Sequence, residues 1–242
     1  MNLAIDIGNT RAKLAVFDDN EMLFSDAVET LSEKVVARLF KKHPIKNSML
    51  SAVSTYNDGF NDFLAKNSRL FILDNKTPLP VKNLYKTPLT LGKDRIAAVA
   101  GAFALYPNEN VLVLDIGTAI TYEFISGKGE YHGGGISPGV RLRLKALNAY
   151  TSNLPLIEPQ QIDFLTGAST KDSILSGVMN GTRLELEGFI TEYSARHENL
   201  RVLLTGGDAP LFETVLKSKI FAIPNLVLIG LNKILQHNVS LL

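Results

Sequence analysis

The 242-residue chain is 45% hydrophobic and 20% charged, carries a formal net charge of +1 and contains no cysteine. Those proportions fit a folded globular protein and exclude disordered and fibrous classes, while the missing thiols exclude disulfides, thiolate metal sites and a cysteine nucleophile. Lys and Arg are dispersed and no apolar run is long enough to span a bilayer, so neither a nucleic-acid partner nor a membrane is expected. The opening Met1–Asp6 has no basic n-region and no signal-peptide core, which leads us to expect a cytoplasmic protein with a small-molecule partner.

Asn2 to Asp18 reads as two β-rich runs joined at Gly8-Asn9-Thr10, a hairpin that leaves Asp6 at a strand end. A third strand is predicted over Glu21–Val28. Thr30-Leu31-Ser32-Glu33 then has capping-box spacing before an amphipathic helix running through Lys42. Strands are predicted at Ser48–Ser54 and Arg69–Asp74, with a short helix between them, followed by a Pro-containing loop from Lys76 to Gly92. Arg95–Tyr106 is Ala-rich and reads as a buried helix ending near Pro107.

The opening pattern then recurs. Val111-Leu112-Val113-Leu114-Asp115-Ile116-Gly117-Thr118 repeats the register of Asn2 to Asn9, at a spacing of 109 residues, and Ile120–Ile125 supplies a second β-rich run. A period that long fits duplication of a whole domain, with a boundary near residue 108. The second half continues through the Gly-rich segment Gly133–Gly139, a helix over Val140–Ala149 and a long helical region from Ser169 to Arg196. Val202–Leu204 reads as a strand entering Thr205-Gly206-Gly207-Asp208, and a last helix from Asn225 to Gln236 can pack on either half. The order predicts an α/β architecture with helices on both faces of each sheet.

Gly8 and Gly117 let backbone amides approach a phosphate, and Asn9, Thr10 and Thr118 add side-chain donors there. Ionised Asp6 and Asp115 are acceptors only, so beside phosphate their task is to hold a cation or its water shell, with Lys13 adding positive charge. An Asp-x-Gly turn also closes hairpins with no further role, and it is the second copy in matching context that favours phosphate handling. Gly92-Lys93-Asp94-Arg95 sets a carboxylate and a guanidinium at a helix start, where negative charge is favoured and a planar fork can grip a carboxylate. The plain alternative is a helix cap paired with a surface arginine. Asp208 reads equally well as an N-cap or as part of a nucleotide contact, and Arg141, Arg143 and Lys145 read first as a solvated helix face. The four histidines share no metal-ligand spacing, and neither a P-loop nor a Gly-x-Ser-x-Gly elbow occurs.

Taken together these residues resemble the type III pantothenate kinases of bacteria, within the acetate and sugar kinase, heat-shock ATPase and actin superfamily. Asp6-x-Gly8-Asn9-Thr10-x-x-Lys13 is similar to the family's first phosphate motif and Asp115-x-Gly117-Thr118-Ala119 to its second. Tyr85-x-x-Pro88-x-x-Leu91-Gly92-x-Asp94-Arg95 is similar to its pantothenate motif, and Gly133-Gly134-x-Ile136-x-Pro138-Gly139 and Thr205-Gly206-Gly207-Asp208-Ala209 follow in the family's order.

The resemblance implies an α/β fold of two tandem ribonuclease H-like (actin-like ATPase) half-domains, each a central mixed sheet flanked by helices. Residues 1–108 would carry the first phosphate motif and the pantothenate motif, and residues 109–242 the second phosphate motif and the adenosine motif. It implies ATP-dependent phosphorylation of pantothenate to 4′-phosphopantothenate, the first step of coenzyme A biosynthesis. Asp94 would accept the hydroxyl proton, and Tyr85, Gly92, Lys93, Arg95 and Thr170 would join it in binding pantothenate. Asp6, Ile7, Gly8, Asn9, Thr10, Arg11, Ala12, Lys13 and Thr118 would contact ATP, which enters with Mg2+. Asp115 would hold a required monovalent cation, K+ or NH4+, and the chain would work as a homodimer. Two other readings stand beside it: a kinase of the same superfamily with a different small-molecule acceptor, and a non-catalytic nucleotide-dependent regulator of the same fold.

Overall fold

The computed structural model describes residues 1–242 except Ser54, Thr55 and Asp58. The chain divides into two compact units: residues 1–107, 129–132 and 225–242 form the first, and 108–128 with 133–224 form the second. Two stretches from beyond residue 108 therefore belong to the first unit.

In the first unit, β1 (Asn2–Ile7), β2 (Ala12–Asp18), β3 (Glu21–Val28), β4 (Asn47–Ala52) and β5 (Arg69–Ile72) form a sheet of order β3-β2-β1-β4-β5. The centre is β1, antiparallel to β2 and parallel to β4. Its unbroken burial from Leu3 to Ile7 explains why the strand reads as a continuous apolar run, since a central strand covered on both faces needs no polar alternation. Ser54, the last residue of the strand predicted over Ser48–Ser54, lies outside the described residues.

Helix α1 (Glu33–Lys42) starts with Ser32 at its N-cap and without a side-chain cap bond, so the capping box predicted between Thr30 and Glu33 is not formed. Val36 and Leu39 on α1, with Phe60 and Leu64 on α2 (Gly59–Asn67), join the buried cluster of Leu3, Ile5, Leu14 and Leu50.

The loop predicted over 76–92 contains a two-residue strand, β6 (Lys82–Asn83), and a short 3-10 turn at Pro88–Thr90. It leads into α3 (Lys93–Leu105), buried from Arg95 to Ala102 because its Ala and Gly side chains let other backbone come close.

The partner that comes close is the C-terminal helix, α7 (Leu226–Ser240), which the sequence left free to pack on either half. A Cβ on Gly101 would sit 2.5 Å from the Leu226 carbonyl oxygen, and one on Gly230 would sit 1.7 Å from that of Ala97. Only paired glycines permit such a crossing.

The second unit repeats the arrangement. β7 (Val111–Ile116), β8 (Ala119–Ile125), β9 (Glu130–Pro138), β10 (Arg201–Thr205) and β11 (Phe221–Ala222) run in the order β11-β10-β7-β8-β9, which is the order of the first sheet read through equivalent strands. The duplication predicted from Asp-Ile-Gly is thus a duplication of topology. β6 pairs with Glu130 and Tyr131, the opening residues of β9.

The segment predicted as Gly-rich over 133–139 lies mostly within β9, not in a loop. Its glycines are there because a Cβ on Gly134 would overlap the Tyr122 carbonyl oxygen, at 1.4 Å. α4 (Val140–Ala149), α5 (Thr170–Leu175) and α6 (Gly181–Arg196) complete the unit, with a π-turn over Ser176–Asn180 joining the last two into the long helical region read from sequence.

Replacing Gly230 by Ala is expected to destabilise the protein by about 1–3 kcal/mol, as overpacking of a close helix crossing does. A lowered urea midpoint at unchanged slope would show it; an unchanged midpoint would mean that α3 and α7 yield without cost.

Candidate active site

In the first unit β1 and β2 are joined by Gly8–Arg11, closed by the Gly8 N–H donating to the Arg11 carbonyl at 3.1 Å. The turn borders an open cavity of about 670 Å³ lined by Ile7–Ala12, Glu29–Lys34, Tyr56, Asn57 and Phe60. Asn9, Thr10 and Arg11 are exposed at its edge. Asp6 lies just before the turn, buried, with Lys13 opposite it on β2 and Ser51 opposite it on β4.

Burial, and then the charge of Asp94, push the Asp6 carboxyl up to about 6, against the smaller opposing pulls of Ser51 and Lys13. The Asp6 Oδ1 and the Ser51 Oγ are both buried, and neither makes a hydrogen bond of good geometry. A buried carboxylate oxygen that is unpartnered and faces further negative charge fits a divalent cation.

The link to Asp94 brings the pantothenate-like motif to the same unit. Gly92 caps α3, Lys93 and Asp94 begin its first turn, and all three are partly buried. A Cβ at Gly92 would lie 2.6 Å from the Asp94 Oδ1, so glycine leaves the carboxylate room to fold back and accept the Arg95 N–H at 2.9 Å.

Arg95 is not the surface arginine of the plain cap reading: it is 6% exposed, with its guanidinium 5.3 Å from the Tyr85 ring centre. Tyr85 is fixed in turn by donating its N–H to the Asn83 Oδ1 and by stacking on Tyr131, with ring centres 6.2 Å apart and planes 12° apart. Asp6 is thus coupled by charge to a remote segment in which Asp94 adjoins Arg95 and Arg95 meets the Tyr85 ring.

The second unit's turn is tighter. Only Gly117 and Thr118 separate β7 from β8, and the Gly117 N–H donates to the Ala119 carbonyl at 3.0 Å. Gly139 presses on this turn, its N–H donating to the Thr118 carbonyl at 3.0 Å, and a Cβ there would sit 2.1 Å from the Gly117 carbonyl oxygen. Thr118 is exposed.

Asp115 at the end of β7 packs against Gly206, whose φ of +101° and missing Cβ allow the close approach: a Cβ would come 2.5 Å from the Asp115 Oδ1 and 2.3 Å from the Ile116 carbonyl oxygen.

Asp208 stands at the N-cap of a short 3-10 turn, as the cap reading expects, but its side chain makes no cap bond. Its carboxyl is pushed up by burial against the pull of Arg141, whose Nε lies 3.4 Å away. Thr170 is the exposed first residue of α5; the neighbouring Ser169 hydroxyl is engaged as the cap, accepting from the Asp172 N–H at 3.1 Å. Among the described residues, no side-chain hydrogen bond or ion pair joins Thr170 to Asp115, Thr118 or Asp208.

The family model described as "Type III pantothenate kinase" matches residues 2–192. A curated protein of that name from Christiangramia forsetii is 44% identical over 98% of this chain and 99% of its own length. The chain belongs to the type III pantothenate kinase family. Among solved structures, a conserved candidate Baf family transcriptional activator from Campylobacter jejuni superposes with a TM-score of 0.61 at 22% identity, covering 98% of this chain and 99% of that one. An activator of 2-hydroxyisocaproyl-CoA dehydratase from Clostridium difficile with bound ADPNP superposes at 0.56 and 12% identity, covering 99% and 95%. The fold is therefore the expected pair of ribonuclease H-like halves.

Two parts of the site escaped the sequence reading. Tyr131 is one. The other is Glu185 on α6, which accepts from the Tyr122 and Ser137 hydroxyls at 2.5 Å each and from Arg143, tying β8, β9, α4 and α6 together behind the Gly139 corner. Burial pushes the Glu185 carboxyl up, but those donors outweigh it and hold it below its ordinary value, while burial and Glu185 push the Tyr122 hydroxyl well above its own. Arg143, read first as a solvated residue, is instead fixed in this network, and Arg141 is paired with Asp208 and Glu158.

The raised Asp6 carboxyl has a sign that stability measurements can read. Between its ordinary 3.8 and about 6, the folded protein holds a proton that the unfolded chain has released, so stability falls as pH rises through that window. Asp6→Asn is expected to remove that dependence and to gain about 2–3 kcal/mol at pH 7 in the absence of Mg2+ and nucleotide. Denaturant titrations from pH 4 to 7 check it, and equal or lower stability of the variant at pH 7 would contradict it.

Proposed function

We propose that the protein transfers the γ-phosphoryl group of ATP to the primary hydroxyl of pantothenate, giving 4′-phosphopantothenate and ADP, the first step of coenzyme A biosynthesis. The observation that carries this reading is the buried, ring-stacked Arg95 directly beside Asp94, in the unit that also holds the Asp6 turn. Arg95 offers a planar fork to the acceptor carboxylate, with Tyr85, Gly92, Lys93 and Thr170 completing acceptor binding.

Asp94 takes the hydroxyl proton as the acceptor oxygen bonds to the γ-phosphorus and the bond to the β,γ-bridging oxygen breaks, the electron pair leaving with ADP. Such a transition state asks chiefly for positioning and charge stabilisation, which suits an aspartate at a helix N-terminus. The residues from Asp6 to Lys13, together with Thr118, contact ATP, the glycine turns offering N–H donors to its phosphates. Mg2+ bound with ATP supplies charge neutralisation on the phosphate oxygens, and Asp6 is the residue suited to hold it or its water shell.

Asp115 holds K+ or NH4+, a reading supported by its place at the end of β7, directly before the second glycine turn. On this account residues 1–108 choose the acceptor and carry the first phosphate turn, and residues 109–242 carry the second turn and the adenosine motif. The chain works in the cytoplasm as a homodimer. Support for pairing comes from Ile136, Leu142, Tyr150, Leu165 and Leu184, large apolar side chains left exposed on the second unit. Among the described residues no helix is long and apolar enough to cross a membrane.

Asp94→Asn keeps the shape of the side chain but cannot take a proton; its kcat with pantothenate is expected to fall by about 10²–10⁴-fold, the range for losing a general base. Near wild-type turnover would sink its assignment. The monovalent ion has its own check: activity and thermal midpoint are expected to be higher in K+ than in Na+ at equal ionic strength, and Asp115→Asn is expected to abolish both differences. Equal behaviour of the wild-type chain in the two salts would remove Asp115 from that role.

A further inference from the structure

Residues 129–132 are a detour of the chain. They come after β8 yet belong to the first unit, and they touch both elements that carry the acceptor motif. The Lys82 and Leu84 N–H groups donate to the carbonyls of Gly129 and Tyr131, each at 2.8 Å, so the segment that presents Tyr85 is hung on this detour by two backbone bonds. Lys82 and Glu130 add an ion pair at 2.9 Å. Gly129, with φ of +73°, turns so closely against α3 that a Cβ there would meet the Phe103 ring at 3.0 Å. Tyr131 itself is fully buried, its ring parallel to that of Tyr85, and Tyr85 offers its ring to the Arg95 guanidinium.

We propose that Tyr131 is a positioning residue for the acceptor site: its ring sets the plane of Tyr85, whose face sets the plane of the Arg95 guanidinium that receives the acceptor carboxylate. This rests on the function proposed above. A planar fork makes two parallel bonds to a carboxylate only when its plane is already aligned. Tyr85 stands in an irregular segment, where side-chain freedom would have to be lost on binding, and the stack removes that freedom beforehand. The effect belongs to acceptor recognition, because Tyr131, Tyr85 and Arg95 do not line the cavity that the Gly8–Arg11 turn borders. Tyr131 is fully buried against Tyr85, so on this proposal its influence on the acceptor passes through that ring.

Steady-state kinetics on the full-length protein, varying pantothenate and ATP separately, test the proposal. Tyr131→Leu is expected to raise the KM for pantothenate about tenfold while kcat and the KM for ATP stay within about twofold, the scale of a lost aromatic or cation–π contact. Tyr131→Phe, which keeps the ring, is expected to restore the pantothenate KM to within about twofold of wild type. Adding Tyr131→Leu to Tyr85→Leu is expected to cause no further increase, since the two act in one column.

If Tyr131→Leu does not fold, Leu84→Pro decides the matter: it removes at an exposed position the N–H that Tyr131 accepts, and the same selective rise is expected. An unchanged pantothenate KM in the folded variants, or an equal rise for ATP, overturns the positioning role while wild-type turnover leaves the function standing. A wild-type chain that leaves pantothenate unphosphorylated removes both.

Discussion

Burial of the Asp6 carboxylate is the constraint that shapes the first unit's turn, and the charge of Asp94 adds to it. Asp6 is buried at the end of the central strand and Asp94 begins a helix whose next two turns are buried. Neither can retreat, because β1 is flanked by β2 and β4 and α3 is locked to α7 through Gly101 and Gly230. Charge placed in a low-dielectric setting without a partner is costly, and the raised Asp6 carboxyl expresses that cost. On the proposed function the cost is relieved when a cation arrives with the nucleotide, so that the empty protein gives up stability for readiness to bind.

Glycine is the second recurring device, used where backbone must meet backbone or a carboxylate. Gly139 lets the β9–α4 corner lean on the Gly117–Thr118 turn, Gly206 packs closely on Asp115, and Gly92 leaves room for the Asp94 carboxylate. The two Asp-x-Gly turns, alike in sequence, are made unequal by these neighbours. The first is a four-residue loop opening on a cavity, while the second is a two-residue link held from behind by the Glu185 network.

What could be read from the sequence was whatever is local and strong. The two hairpins, the Ala-rich helix and the repeated order of strands follow from apolar runs ending in Asp-Ile-Gly, and the acceptor motif was legible through its family resemblance. The reading of 133–139 as merely Gly-rich missed β9 because glycine signals a break when nothing in the chain announces Tyr122 as the close neighbour. Two-residue strands such as β6 and β11 carry no periodicity to detect. The home of α7 depends on a glycine crossing between residues more than a hundred positions apart. Tyr131 and Glu185 were invisible for the same reason: each takes its meaning from partners on other elements, and neither stands in a motif.

On the proposed function the acceptor and the nucleotide meet the chain through different parts of the first unit, Tyr85 and Arg95 for one and the Gly8–Arg11 turn for the other, with the charge of Asp94 acting on Asp6. The most direct measurement is identification of the product by mass spectrometry and 31P NMR after the purified chain is incubated with ATP, Mg2+, K+ and pantothenate. The account predicts pantothenate bearing one phosphoryl group on its primary hydroxyl, formed in step with ADP. ADP released with pantothenate unmodified, or no turnover at all, would contradict it.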